Sequence, residues 1–160
     1  MEKVFEHFTV SILKLNKLVQ RIKAIEMAEF GLKGIHVMCA YYLTEHADGL
    51  TASELSKYTL EDKAAISRAL SQLKKKGFVS YDEKTYNAKI TLTDAGKSFA
   101  AAVMEKADRA VAAGSADQTE DERLDFYKKL SDIVDNLEAY LDTLATSHAS
   151  RDTGCVRRDS

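Results

Sequence analysis

The stretch EDKAAISRALSQLKKKGF, from Glu61 to Phe78, decides the fold that we expect for this chain. Small side chains crowd its beginning, at Ala64, Ala65 and Ser67, and three lysines precede the glycine near its end. Apolar residues recur at i, i+3, i+4 and i+7, which predicts a helix with one buried face. That face consists of Ile66, Ala69, Leu70 and Leu73. A helix that only fills a core needs neither a slim start nor a positive end, so we expect its opposite face to bind a partner.

Helix-capping signals surround this segment. Asp62 is expected to cap the helix by accepting a hydrogen bond from a backbone amide in the first turn. Gly77 ends the helix, in the left-handed conformation that glycine adopts without steric cost. Just upstream, Thr51 and Glu54 form an S/T-x-x-E capping box that begins a shorter helix, with Leu55 facing inward. The sequence therefore predicts two consecutive helices joined by a turn.

A hairpin and a further helix follow. FVSY (78–81) and AKITL (88–92) are typical of short strands on either side of the polar turn DEKTYN. Thr93 then caps a helix that continues to about Ala112, and Asp94 in its first turn suits the helix dipole. Helix, turn, helix and a two-stranded hairpin together predict a winged helix-turn-helix, a mainly α fold with a small β-hairpin wing.

Two long helices bracket this central unit. Their apolar residues alternate at steps of three and four, as in a coiled-coil seam. The seam of the first helix is Phe8, Ile12, Leu15, Val19 and Ile22, and that of the last is Leu130, Val134, Leu137, Leu141 and Leu144. One small core cannot absorb both seams, so we expect two copies of the chain to bury them against each other. The alternative is a monomer that folds its terminal helices together.

The expected domain organisation follows from these elements. One domain spans 1–146, with dimerisation helices at about 2–26 and 120–146 and the winged helix unit at about 33–100. An apolar helix at about Lys33 to Glu45 is expected to be buried at its centre, with Gly49 as the stop signal after it. Residues 147–160 have almost no apolar content and are expected to form a disordered tail.

Composition and charge limit the class of protein. The 160 residues are 45% hydrophobic and 30% charged and include no proline, which allows long uninterrupted helices. No apolar run approaches the roughly 18 residues that span a bilayer, and the N-terminus does not resemble a signal peptide. We therefore expect a cytoplasmic protein without a membrane partner. Its two cysteines, Cys39 and Cys155, indicate no disulfide framework.

Charge is distributed unevenly along the chain. The net charge is −2, but residues 51–90 hold eight Lys/Arg against five Asp/Glu, and residues 105–146 hold five against eleven. The basic middle is compatible with a nucleic-acid partner. On the predicted recognition helix, Lys63, Ser67, Ser71 and Lys74 share the face opposite the buried one. Arg68 borders this face and can reach a phosphate or the paired acceptors of a guanine. The alternative is that the lysines only compensate the helix dipole.

Two motifs carry a resemblance to a known family. GLTASELSKYTLEDKAAISRALSQLKKKGFV followed by ITLTDAGKSFA resembles the multiple-antibiotic-resistance-regulator (MarR) family of bacterial transcription factors. The resemblance implies a homodimer whose terminal helices form the interface and whose recognition helices bind a pseudo-palindromic operator in double-stranded DNA. It also implies repression that ends when a small molecule binds. Carried over by position, the DNA-reading residues are Lys63, Ala64, Ser67, Arg68 and Ser71, with Thr51 and Ser53 near the DNA backbone.

The wing departs from the family pattern. Relatives carry an aspartate and arginine pair before the second strand, and the arginine reaches into the minor groove. The corresponding segment here, YDEKTYNAKI, contains no arginine. Lys84, Asn87 and Lys89 are the candidates that replace it. A wing contact limited to phosphates is therefore one expectation, and a winged-helix protein-interaction module with little DNA affinity is an alternative function.

Sensor residues are less well defined by the sequence. Relatives bind organic effectors in a cleft lined by the first, second and fifth helices. The candidates here are His7, Ser11, His36, Met38, Tyr42 and Phe99, and the alternative is that these are core residues. His36 and Cys39 have metal-ligand spacing, but no histidine follows in the helix after the wing, so we expect no metal and keep a metal-dependent regulator as a lesser alternative.

Catalytic signatures are not recognisable in the sequence. It shows no nucleophile–base set, no glycine-rich phosphate loop and no paired carboxylates in a recognisable frame. We therefore expect no enzyme activity, no catalytic residues and no cofactor.

Overall fold

The computed structural model describes residues 2–152, with the side chains of 3–4 and 6–146. The elements in chain order are α1 (Glu2–Ala28), α2 (Ile35–Glu45), α3 (Ala52–Thr59), α4 (Lys63–Lys75), β1 (Val79–Ser80), β2 (Thr91–Leu92), α5 (Asp94–Gly114) and α6 (Glu120–Asp152). This order matches the expected one. The chain forms two compact units that divide between Ala113 and Gly114.

The first unit has one hydrophobic core, built by α2 to α5, the hairpin and the C-terminal end of α1. The predicted inner face of α4 is buried, since none of its four apolar side chains is more than 3% exposed. Leu55 of α3 is fully buried as well. The core residues are Met27, Leu32, Val37, Cys39, Ala40, Leu43, Leu50, Leu55, Ile66, Ala69, Leu70, Leu73, Val79, Ile90, Phe99, Ala100 and Val103.

The hairpin is held at its base by contacts that fix its direction. Val79 pairs with Leu92 and Ser80 with Thr91 in an antiparallel register. Leu50 adds a bridge on the other side, where its amide donates to the carbonyl of Ile90 at 3.1 Å. Leu50 therefore acts as a third, one-residue strand, which ties the wing to the segment before α3.

Gly49 has a second role besides ending the α2 segment. Its φ is +82°, and a Cβ added there would lie 2.6 Å from the carbonyl oxygen of Ile90. Glycine is thus required both by the left-handed backbone and by the close approach that allows the Leu50 bridge. The sequence pattern predicted only the stop signal.

The second unit consists of α6 and the loop before it. Thr119 caps α6 with a second capping box, because its hydroxyl accepts from the amide of Glu122 at 3.3 Å and donates to the Glu122 carboxylate at 2.9 Å. The helix runs to Asp152, six residues beyond the predicted end at Thr146. The first part of the predicted disordered tail is therefore helical, and its remainder, 153–160, lies outside the described residues.

Candidate nucleic-acid interface

The recognition helix α4 is fixed in place at its N-terminus. The carboxylate of Asp62 accepts from the amide of Ala65 at 2.7 Å, which is the predicted cap. One residue earlier, the carbonyl of Glu61 accepts from the hydroxyl of Ser56 on α3 at 2.6 Å. These two bonds set the turn between α3 and α4. Because the inner face of α4 is buried in the core, the orientation of its outer face follows from the fold.

The outer face of α4 is exposed to solvent. Lys63, Ala64, Ser67, Arg68 and Ser71 are all exposed. Among the residues that the structure describes, none of the polar side chains in this set has a hydrogen-bond or ion-pair partner. The face is slim at its start and carries two free cations, and these are the features that close approach to a DNA groove requires.

Lys74 was expected on the same reading face, but the structure places its ammonium group on the wing. Lys74 Nζ donates to the carbonyl oxygen of Tyr81 at 3.0 Å and to Glu83 Oε1 at 2.9 Å. It also lies 4.3 Å from the centre of the Tyr81 ring, in a cation–π contact. The charge of Lys74 therefore joins α4 to the wing and is not free for a phosphate. We call this set of contacts the Lys74 clasp.

The wing tip is a pair of consecutive turns. Asp82 closes the first turn, because its carboxylate accepts from the amide of Lys84 at 2.9 Å and from the hydroxyl of Thr85. The Thr85 hydroxyl and then the Lys84 amide hold the pKa of Asp82 below its usual range. Asn87, with φ of +54°, occupies the left-handed position of the second turn. Lys84 is exposed at the tip, as a phosphate contact requires.

Lys89, another candidate of the wing, is paired within the protein. Its ammonium group lies 3.1 Å from Glu54 Oε2, and the same oxygen accepts from the amide of Thr51 at 2.7 Å. The Thr51 bonds and then Lys89 lower the pKa of Glu54 to about 2. The capping box thus also connects α3 to the segment that leads into β2. Thr51 and Ser53 are half-buried at the start of α3.

Two exposed apolar side chains near the interface were not singled out from the sequence. Tyr86 at the wing tip and Leu60 in the turn before α4 are each 92% exposed. Leu60 has φ of +58°, a conformation that costs a non-glycine residue roughly 1–2 kcal/mol. The turn DEKTYN was recognised by its polar residues, and this pattern did not draw attention to Tyr86, the one aromatic residue within the turn.

The candidate effector residues lie in different surroundings. His7 and Ser11 are exposed on α1 and line one open hollow of about 410 Å³. His36 and Phe99 are buried in the first unit. Phe99 stacks on Phe78 at 4.4 Å between ring centres, so it is a core residue. Met38 is half-buried on α2, and Tyr42 is half-buried and stacks on Tyr58 at 5.1 Å.

His36 and Cys39 have the environment of packing residues. The Nδ1 atom of His36 lies 3.0 Å from the amide and 2.8 Å from the carbonyl oxygen of Lys33, at the start of α2. Burial lowers the pKa of His36 and raises the pKa of the Cys39 thiol to about 12. A thiol that stays protonated is a poor metal ligand and a poor nucleophile. Over residues 2–152, no three His, Cys, Asp or Glu side chains form a group that could hold a metal ion.

The two terminal helices carry large exposed apolar surfaces. Every residue of the predicted α1 seam is between 39% and 48% exposed. On α6, the exposed apolar residues are Leu124, Phe126, Tyr127, Ile133, Val134, Leu137, Tyr140, Leu141 and Leu144. In the described part of the chain, no helix is both long enough and apolar enough to span a bilayer.

Comparison with known proteins finds similarity over parts of the chain. Residues 30–84 match the model of the MarR family, which covers α2 to the wing tip. The uncharacterized HTH-type transcriptional regulator YdgJ from Bacillus subtilis (strain 168) is 32% identical over 103 residues, which are 61% of this chain and 63% of that protein. The chain therefore spans less than two thirds of the length of this curated relative.

Solved structures share the fold. A MarR transcriptional regulator from Methanosarcina mazei Go1 has a TM-score of 0.75 at 18% identity, covering 84% of this chain and 92% of that one. The MepR–DNA complex from S. aureus has a TM-score of 0.70 at 17% identity, covering 81% and 97%. These likenesses confirm the winged helix-turn-helix fold that the sequence predicted.

Proposed function

We propose that this chain, whose residues 30–84 match the MarR family model, is a homodimeric DNA-binding regulator of transcription. Its partner is double-stranded DNA with a pseudo-palindromic operator, and its place of action is the cytoplasm. It represses transcription until a small organic effector releases it. Since family members are transcription factors, no enzyme activity is part of this proposal.

The outer face of α4 is the observation that carries the proposal. Five residues with small or hydrogen-bonding side chains lie exposed on a helix whose other face is fixed in the core. Arg68 and Lys63 provide positive charge there, and a guanidinium group matches the O6 and N7 acceptors of guanine. The solved MepR complex supports this assignment, because a related fold is bound to DNA in it.

The seams of α1 and α6 support the homodimer. A monomer rarely exposes apolar patches larger than a few hundred Å², and each of these helices exposes apolar side chains along most of its length. A second copy of the chain is the partner that offers matching seams. A dimer also presents two recognition helices to two half-sites about one helical turn apart.

The open hollow on α1 supports the binding of an effector that releases DNA. His7 and Ser11 offer polar atoms, and Lys3, Glu6 and Lys14 line the same hollow. A ligand there would contact a dimerisation helix and could change the spacing of the two recognition helices. Of the six candidates, we retain these two as the effector contacts.

The substitution Arg68→Ala tests the reading face. We expect it to cost on the order of 1–3 kcal/mol in binding to a duplex that the protein selects from a random-sequence library. Arg109→Ala on α5 is the control, because Arg109 is equally cationic but pairs with Glu105 at 2.8 Å on another helix. Fluorescence anisotropy with labelled duplex measures both. Equal affinity of the Arg68 variant and the parent would show that the reading face is wrong.

The salt dependence of binding separates a DNA regulator from a protein-interaction module. A protein that neutralises several phosphates shows log K falling linearly with log salt. An interaction module with little DNA affinity would show neither measurable binding nor this slope. The same anisotropy titration, repeated over a series of salt concentrations, gives the answer.

A further inference from the structure

Tyr86 stands out among the residues of the first unit. Its ring is 92% exposed, and over the described residues it has no ring contact, hydrogen bond or cation–π partner. A large aromatic side chain gains nothing from this position in the free protein, since an apolar ring in water has a cost of hydration. It lies in the turn at the tip of the hairpin.

The backbone that carries Tyr86 is well defined. Tyr86 and Asn87 are the two central residues of a turn that closes with the Ala88 amide donating to the Thr85 carbonyl at 3.3 Å. The left-handed φ of Asn87 fixes the corner of that turn, and Asp82 holds the turn before it. A side chain at such a corner points away from the hairpin, toward whatever the wing meets.

The wing is also coupled to the recognition helix. The Lys74 clasp joins the last turn of α4 to Tyr81 and Glu83, which lie between β1 and the tip. When the outer face of α4 lies in a major groove, the tip is therefore carried to the neighbouring stretch of the same duplex. Arginine, the usual groove-reaching cation, is missing from the tip, and Lys89 is paired with Glu54.

We propose that Tyr86 is the DNA contact of the wing and that its ring packs into the minor groove adjacent to the major groove that α4 occupies. The proposal rests on the proposed function and adds to it a residue and a kind of contact. The ring lies against the sugar walls and base edges of that groove, which apolar side chains of other DNA-binding proteins also enter. Lys84, two residues away, supplies the charge to an adjacent phosphate. The wing thus contributes an apolar contact with little dependence on salt.

Substitution at position 86 separates this contact from an electrostatic one. Tyr86→Ala weakens binding to the selected duplex on the order of tenfold, the effect typical of losing one aromatic contact with nucleic acid. The slope of log K against log salt stays that of the parent, because no phosphate contact is lost. Tyr86→Phe keeps the ring and binds within about twofold of the parent by the same reasoning.

Lys84→Ala is the matched control on the same turn. Losing a phosphate contact reduces the salt slope by about 1. A Tyr86→Ala variant that bound as tightly as the parent would overturn the proposal. A Tyr86→Ala variant that changed the slope as Lys84→Ala does would overturn it as well, because the contact would then be electrostatic. Because the Tyr86 ring is 92% exposed, we expect the position 86 variants to keep the fold.

A fluorescent reporter tests the same contact directly. The chain contains no tryptophan, so Tyr86→Trp introduces a single one at the wing tip. On saturation with the duplex, its emission is expected to change and its quenching by acrylamide to fall. Tyr41→Trp, at a 40% exposed position on α2, is the control and keeps its accessibility. An unchanged, fully accessible tryptophan signal from the Tyr86→Trp variant in the saturated complex would overturn the proposal.

The two proposals fail in different ways. If the parent protein selects no duplex and binds none, the proposed function itself fails. If the parent binds and Arg68→Ala weakens binding, while the position 86 variants have no effect, only the assignment of Tyr86 fails.

Discussion

Gly96 lies in the first turn of α5 against the end of the recognition unit. The amide of Gly96 donates to the hydroxyl of Thr93 at 3.0 Å, and a Cβ added at Gly96 would lie 1.8 Å from the carbonyl oxygen of Phe78. The same carbonyl accepts from the amide of Thr93 at 3.1 Å. The N-terminal turn of α5 can therefore pack against the backbone of Phe78, just before β1, only because position 96 has no side chain.

Gly96→Ala is expected to destabilise the protein by at least ~2 kcal/mol, because the backbone of Phe78 must move to relieve the clash. Urea denaturation followed by circular dichroism measures the change. Gly114→Ala is the control, since nothing lies within 4 Å of the Cβ that it adds at the end of α5. We expect that variant to match or slightly exceed the parent. An unchanged unfolding midpoint for Gly96→Ala would contradict the close approach.

At this scale, what could be predicted depends on how local the contact is. The Asp62 cap and the Thr51–Glu54 box follow from residues three positions apart, so the sequence pattern was sufficient and both are confirmed. The long side chain of Lys74 can reach solvent, a phosphate or the wing. In the fold it binds the wing, because Glu83 lies 2.9 Å from its ammonium group. The periodicity of the sequence does not predict this ion pair. It does not predict the exposure of the Tyr86 side chain either.

Among the elements, α3 has a capping box that responds to pH. The pKa of Glu54 is lowered from 4.5 to about 2, chiefly by the amide and hydroxyl of Thr51. Below pH 4.5 the unfolded chain takes up a proton that the folded chain still excludes. The contribution of the Glu54 charge to stability is therefore fully present above pH 4.5 and is lost as the pH falls toward 2.

Glu54→Gln tests this linkage. We expect the parent to be more stable than the variant near pH 7, and the difference to shrink as the pH falls from 4.5 to about 2, where Glu54 is protonated in the folded state as well. Urea denaturation of both proteins over this pH range gives the difference. Thr51→Ser keeps the hydroxyl, so it should keep the pH dependence. A difference that stayed constant down to about pH 2 would mean that the carboxylate is not held by α3.

The order of the helices and strands could be predicted from the sequence. The residues at which they begin and end, and the pairing at the edge of the hairpin, could be predicted only in part. α2 begins at Ile35 rather than Lys33, and the residues before it form a turn in which the His36 amide donates to the Lys33 carbonyl at 3.0 Å. α6 passes the last seam residue because a polar sequence without proline does not end a helix by itself. The Leu50 bridge was not predicted, since pairing between residues as distant along the chain as Leu50 and Ile90 leaves no local pattern.

At the scale of the whole molecule, the proposed dimer depends on the exposed seams of α1 and α6. Leu15→Glu introduces a charge in the α1 seam, where the parent side chain is 48% exposed in the single chain. We expect this variant to shift from dimer to monomer, because a carboxylate buried between apolar seams pays a large desolvation cost. Sedimentation equilibrium measures the mass.

Lys17→Glu is the control for Leu15→Glu, since it lies two residues away on the other side of the same helix. We expect it to remain a dimer. A Leu15→Glu protein that kept the mass of the parent would show that the α1 seam has another role. At this scale the sequence predicts the two apolar seams and their burial against another chain. It does not predict how the two chains pack against each other.

The most direct test of the whole account is the number of chains on one duplex. Sedimentation equilibrium of the parent protein with a selected duplex of about 30 base pairs, which holds two half-sites one helical turn apart, measures it. The account predicts a dimer for the protein alone and two chains on one duplex in the complex. One chain per duplex, or a monomer that binds no DNA, would contradict it.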